Sequence, residues 1–143
     1  MIRLRHIIGK IERNNPKKTN IIGKPKTMKE QTVYFDNIVD DVTYYIGTNA
    51  TDNFSVIDMG KPDDIWFHAK DCSSCHVVVQ VPEYIDKKGM RTIIKRGALL
   101  CKQNTAKLNI ADQIDIIYAQ VKNITKTDIP GCVTTKHTKV VTC

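Results

Sequence analysis

Nowhere in this sequence do apolar residues run together for the roughly 20 positions that a membrane helix needs, so no membrane span is expected. The first residues show no secretory pattern either, because the apolar pairs near Ile7 are broken by Arg, Lys and Glu. A mitochondrial leader is the weaker reading of this basic start, which lacks the serines such segments favour. The cysteines (Cys72, Cys75, Cys101, Cys132 and Cys143) are odd in number and unevenly spread, which argues against a secreted disulfide framework. A reducing, cytoplasmic compartment is the simpler expectation. There is no internal repeat and no low-complexity tract. No nucleophile-plus-base spacing or paired-carboxylate metal motif is present, so catalysis is not expected.

What is present is charge, unevenly placed. The net charge is +7, and residues 1–29 hold nine Lys or Arg against one acid, Glu12. The remainder carries 13 basic and 14 acidic residues, which nearly cancel. The sequence therefore divides into a basic, disorder-prone N-terminal arm over 1–29 and a domain over 30–143. Such an arm can lie along a phosphate backbone or serve only as a solvated tail. Met28, just before the first convincing strand, is an alternative start.

Chain length and a hydrophobic content of 41% suit one globular domain with a core. Strands are expected at Thr32–Ile38, Thr43–Ile46, Ile65–Lys70 and His76–Val81, the last ended by Pro82. Further strands are expected at Ile114–Val121, Gly131–Thr135 and Lys139–Thr142. Gly47–Asn53 reads as turn, followed by a short apolar piece at Phe54–Met59. Residues 87–104 make the best helix. The predicted class is α+β, a mostly antiparallel sheet with one main basic amphipathic helix packed on it.

Strand alternation places Trp66, His68 and Lys70 on one face and Ile65, Phe67 and Ala69 on the other. If the strands around 65–70 and 76–81 pair antiparallel with His68 opposite His76, their apolar faces coincide, and a one-residue slip would spoil this. The opposite face then gathers Trp66, His68, Lys70, His76 and Gln80. Indole and imidazole planes can stack on bases, Lys70 can meet a phosphate, and the Ser73-Ser74 turn adds donors. The competing reading makes Trp66 and both histidines ordinary hydrogen-bonded core residues.

His68, Cys72, Cys75 and His76 are also potential zinc ligands. A closed site normally draws on two separate ligand pairs, and His68 would have to bend out of mid-strand, so no metal or other cofactor is expected. Between Lys87 and Lys107 there are seven basic residues and no acid. At helical spacing Lys88, Arg91, Lys95 and Lys102 form one stripe, opposite Met90, Ile93, Gly97 and Leu100. A basic stripe beside an aromatic strand face is the footprint of a nucleic-acid binder.

The string Asp63-Asp64-Ile65-Trp66-Phe67-His68-Ala69-Lys70-Asp71, with Ser73-Ser74-x-His76-Val77-Val78, resembles the signature of the NFACT-R domain family. Tyr45-Ile46-Gly47, Asn49, Asn53 and Gly131 match in order, and the resemblance covers roughly residues 33–143. It implies an α+β RNA-binding module, with Trp66, His68, Lys70, Ser74 and His76 at the signature site. In that family the implied partners are tRNA and the stalled large ribosomal subunit in ribosome quality control. Short eukaryotic members carry a C-terminal coiled coil, and for them DNA binding is an expectation. This sequence shows neither that coiled coil nor the N-terminal ribosome-contacting region of the long members, so nascent-chain extension is not expected of it. Cys72 and Cys75 lie outside the family pattern. The expected function is RNA binding, with DNA binding or docking on a protein partner as alternatives. Acid–base work by the histidines with Asp63, Asp64 and Asp71 is the weakest reading.

Overall fold

A computed structural model describes residues 28–143. The arm expected over 1–29 lies outside the described residues except for Met28, which is buried, and Lys29, which opens the first strand. Eight strands and two helices follow in the order β1 (Lys29–Phe35), β2 (Asp40–Ile46), α1 (Ala50–Asp58), β3 (Ile65–Ala69), β4 (Val77–Val79), α2 (Lys87–Gln103), β5 (Asp115–Gln120), β6 (Ile124–Lys126), β7 (Val133–Thr135) and β8 (Lys139–Thr142). Six strands make one sheet in the order β1-β2-β4-β3-β5-β8, and β6 with β7 forms a separate two-stranded ribbon. Every pairing is antiparallel. The expected α+β class holds.

The middle of the sheet is covered on both sides, which is why β2, β3 and β4 read as almost continuous apolar runs. One side packs Tyr44, Ile46, Phe67, Val77 and Val79 against Ile93, Ala98, Leu100 and Cys101 of α2. The other side packs Tyr45, Trp66, Val78 and Ala119 against Val56 and Ile57 of α1, with Met28 and Ile124 closing the rim. The edge strands β1 and β8 lack this cover and are largely exposed.

Helix α1 corrects the expected turn at 47–53. Its start is set by Asn49, whose side chain accepts from the Asp52 backbone N–H at 2.9 Å, in extended backbone at φ −153°. That is an N-cap, and an acid in the first turn suits the helix dipole. Val56 and Ile57 then face the sheet. Helix α2 begins at Asp86, whose carboxylate accepts from the Gly89 N–H at 2.7 Å. A single buried hydrogen bond, Tyr44 hydroxyl to the Ile93 carbonyl at 2.9 Å, ties the middle of α2 to β2. The Tyr44 hydroxyl is pushed well above its ordinary pKa by burial, so it stays a donor.

Gly97 is where α2 comes closest to the sheet, since a Cβ there would run into the Phe67 ring. Alanine would gain about 1 kcal/mol of helix propensity, but overpacking a filled core costs about 1–3 kcal/mol. Gly97→Ala is therefore expected to lower stability, which urea denaturation of the full chain would show as an earlier midpoint with an unchanged slope.

Candidate nucleic-acid interface

Strands β3 and β4 pair Ile65 with Val79, Trp66 with Val78 and Phe67 with Val77, a register whose continuation sets His68 across from His76. This is the register expected from the coincidence of apolar faces. The face holding Trp66, His68 and His76 is nevertheless not open to bases, because α1 covers it. Trp66 and His76 are each 1% exposed. The indole Nε1–H donates to His76 Nδ1 at 3.1 Å, and the His68 ring stacks on the indole at 5.7 Å with 5° between planes. Base stacking by Trp66 is thus corrected: its ring already has protein against it, and it supports the site from within.

His76 is held from several sides. Its Nδ1 accepts from Trp66, so in the neutral ring Nε2 carries the proton, and the Gly131 backbone acts on the ring against the effect of burial. Gly131 sits at φ +83°, a left-handed conformation that favours glycine, with Ala50 at the start of α1 close against it. The His76 N–H donates to the Asn53 side chain at 3.1 Å. His76 is a keystone between β4, α1 and the turn before β7, not a ligand contact.

Asp64, weighed from the sequence only for acid–base work, plays a similar structural part. Its buried carboxylate accepts from the Lys61 N–H at 2.7 Å and the Val81 N–H at 2.9 Å. Two backbone donors explain why an acid directly precedes Ile65-Trp66. Ser74, expected to face a ligand, closes the 69–75 turn: it accepts from the Ala69 N–H at 2.9 Å and donates to the Cys75 carbonyl at 2.9 Å.

The candidate zinc set is divided. Cys75 and Cys72 turn toward the α2 side with Cys101, while both histidines pack with Trp66 on the α1 side. Cys75 and Cys101 donate to each other's backbone carbonyls at 3.3 and 3.4 Å, tying the signature turn to α2. Among the described residues no group of three or more His, Cys, Asp or Glu side chains is placed to hold a metal ion.

The outer face of α2 is cationic. Lys88, Arg91 and Lys95 are exposed along one row of α2, and none of them forms an ion pair among the described residues. Lys102 departs from the expected stripe, being half-buried with its ammonium on the Asp112 carbonyl at 3.4 Å. Arg96, absent from that stripe, lies over the Phe35 ring at 5.5 Å. Beyond the end of α2, Lys107 reaches Ser73 of the signature turn at 3.0 Å. Lys70 and Ser73 are exposed, as expected of contact residues, and His68 is half-buried at the rim.

The profile of the NFACT protein RNA binding domain matches residues 31–137. The chain belongs to that family. It is similar to a coiled-coil domain-containing protein 25 homolog of Dictyostelium discoideum, 31% identical over 66% of this chain and 47% of the relative. It also resembles coiled-coil domain-containing protein 25 of Danio rerio, 33% identical over 59% of this chain and 42% of the relative. The chain thus spans less than half the length of these curated relatives. The C-terminal region of the fibronectin/fibrinogen-binding protein from Streptococcus suis has the same fold, with a TM-score of 0.66 at 22% identity over 82% of this chain and 45% of that one.

For this NFACT domain the buried signature predicts an acid weakness. Burial first, then the neighbouring His68, push His76 from 6.5 down to about 3, against the opposing bond to Gly131. His68 moves the same way, chiefly by burial. The folded state therefore binds fewer protons than the unfolded chain. The stability from neutral His76 is complete above the unfolded value of 6.5 and is lost as pH falls from there toward about 3. A loss approaching about 1.4 kcal/mol per pH unit is expected from His76 below its unfolded pKa. Urea midpoints at stepped pH between neutrality and 5 check this, and His76→Gln should flatten the slope there while lowering stability at neutrality.

Proposed function

We propose that this chain binds structured RNA of the tRNA or ribosomal type, as a module serving translation or ribosome quality control. The chain's family supports RNA as the ligand. The observation that carries the reading is the row Lys88, Arg91 and Lys95. These cations are exposed and form no ion pair among the described residues, and they lie on a helix of 17 residues, about 25 Å long, that ends beside the signature turn. Cations left free along one face neutralise phosphates and release counterions, whereas a merely soluble helix interleaves acids with its lysines. The buried Trp66–His76 unit supports this reading indirectly by holding the turn and the sheet rigid behind that row.

Binding, not catalysis, is the proposed activity. Burial favours the neutral form of both histidines, and neither has a carboxylate partner among the described residues to hold a proton relay. The five cysteines are free thiols, which supports a reducing compartment such as the cytoplasm. No helix of the described residues is long and apolar enough to cross a membrane.

Fluorescence anisotropy of the full chain with labelled tRNA, across a salt series and beside a DNA duplex, tests the proposal. Affinity for tRNA is expected to fall steeply with salt. Each of Lys88→Ala, Arg91→Ala and Lys95→Ala should reduce the log–log salt slope by about 1. Equal affinity for the DNA duplex would favour DNA as the ligand. Binding indifferent to all three substitutions would remove α2 from the interface.

A further inference from the structure

At the open end of β3 the structure gathers four polar side chains from two segments: His68 and Lys70 at the strand end, Ser73 in the turn, and Lys107 beyond α2. Lys107 Nζ lies 3.0 Å from Ser73 Oγ, and its charge acts on the His68 ring. Lys70 and Lys107 are exposed and form no ion pair among the described residues.

The His68 tautomer follows from one contact. Nδ1 lies 2.6 Å from the Ala69 carbonyl oxygen. A carbonyl can only accept, so Nδ1 must carry the proton. In the neutral ring Nε2 is then a bare acceptor. Among the described residues Nε2 has no protein partner, and no buried side-chain nitrogen or oxygen is left unsatisfied, so Nε2 must be reached by solvent. The ring cannot swing freely, because it is stacked on Trp66 and fixed by Ala69.

A fixed acceptor at the edge of a cationic patch is an unusual pairing. The phosphodiester oxygens of a nucleic-acid backbone have no hydrogen to give it, so the backbone phosphate alone uses only the lysines and the serine. A ribonucleotide offers both groups at once, an anionic phosphate and a neighbouring 2′-hydroxyl that can donate. We infer that His68, Lys70, Ser73 and Lys107 form a ribonucleotide subsite. Lys70, Lys107 and the Ser73 hydroxyl hold one phosphate, and His68 Nε2 accepts the hydrogen bond of the ribose 2′-hydroxyl. This deepens the RNA-binding reading and rests on it. The row on α2 supplies affinity for any phosphate backbone, and the rim supplies the preference for ribose.

The test uses the full chain and three hairpins of one sequence: RNA, 2′-fluoro RNA and DNA. The 2′-fluoro hairpin keeps the sugar pucker and helix shape of RNA but has no 2′-hydroxyl donor, so it separates ribose contact from groove geometry. Wild type is expected to bind RNA roughly three- to tenfold more tightly than its 2′-fluoro counterpart, the range of one net hydrogen bond. His68→Phe keeps an aromatic ring against Trp66 without the acceptor and should close that gap by weakening RNA alone. Lys107→Ala, a surface change, should weaken all three hairpins and leave the gap open. Equal wild-type affinity for RNA and 2′-fluoro RNA would overturn the subsite while leaving RNA binding intact. So would a gap that survives His68→Phe. Absence of binding to any hairpin at low salt would overturn both the subsite and the RNA reading. The wild-type comparison decides the matter even where His68→Phe fails to fold.

Discussion

An indole N–H buried between two layers must find an acceptor, and in this domain the acceptor is a histidine on the neighbouring strand. Left unsatisfied, a buried donor costs about 1–3 kcal/mol. The Trp66–His76 bond at 3.1 Å removes that cost, and it dictates much else. It makes Nδ1 of His76 an acceptor and leaves the proton on Nε2, and the backbone of the left-handed turn at Gly131 acts on the same ring. That turn rests on the first residue of α1, and Asn53 on the same helix takes the His76 backbone N–H. One donor thus organises β3, β4, α1 and the turn before β7. A slip of β4 by one residue would turn His76 to the α2 side, leaving the indole without a partner.

Covering the sheet on both sides decides where a ligand can go. With α1 over the Trp66 face and α2 over the Phe67 face, a ligand is turned away from the middle of the sheet toward surfaces such as the outer face of α2, the edge strands and the rim at the end of β3. Two of these carry cations that form no ion pair among the described residues, and Lys107 joins them by touching the signature turn from beyond α2. The mutual thiol–carbonyl bonds of Cys75 and Cys101 join them again from beneath. The turn and the helix are therefore one unit mechanically as well as electrostatically. A ligand that spans both meets a surface whose parts are already placed.

The register of β3 against β4 was legible because each strand carries its own strict alternation, and only one offset lets both apolar faces agree. The helix at 87–103 was legible for a similar reason, a sustained period with free cations on one side. Alternation, however, says which residues share a face and nothing about what covers it. Trp66, His68 and His76 were correctly placed together, but Trp66 and His76 were wrongly taken as open, since the covering helix hides in Gly47–Asn53, a string rich in turn-forming residues. Asn49 followed by Asp52 three positions later is a helix-start signal, and it outweighs composition there. The three-residue strand β6 offers no period at all and was missed, whereas its partner β7 falls within the strand expected at Gly131–Thr135. Lys107 was counted among the basic residues, but its position against Ser73 depends on a long-range approach that no local pattern encodes.

The family signature is mostly buried, and this changes what its residues can be asked to explain. Asp64 and Ser74 answer backbone donors, and the Trp66 indole donates to His76, so the chemistry of all four is satisfied before any ligand arrives. Truncating Trp66 would cost about 3–5 kcal/mol, a large share of the stability of a small domain. Loss of binding in such a variant would therefore report unfolding and not a missing contact. His68 differs from these four because one of its nitrogens is fixed by the fold and the other is left to solvent. Where a motif is read as a binding site, the residues to follow are those with a hydrogen-bonding position still open. In this domain that principle selects His68, Lys70, Ser73 and Lys107 at the rim, and assigns the tryptophan the task of holding the histidine still.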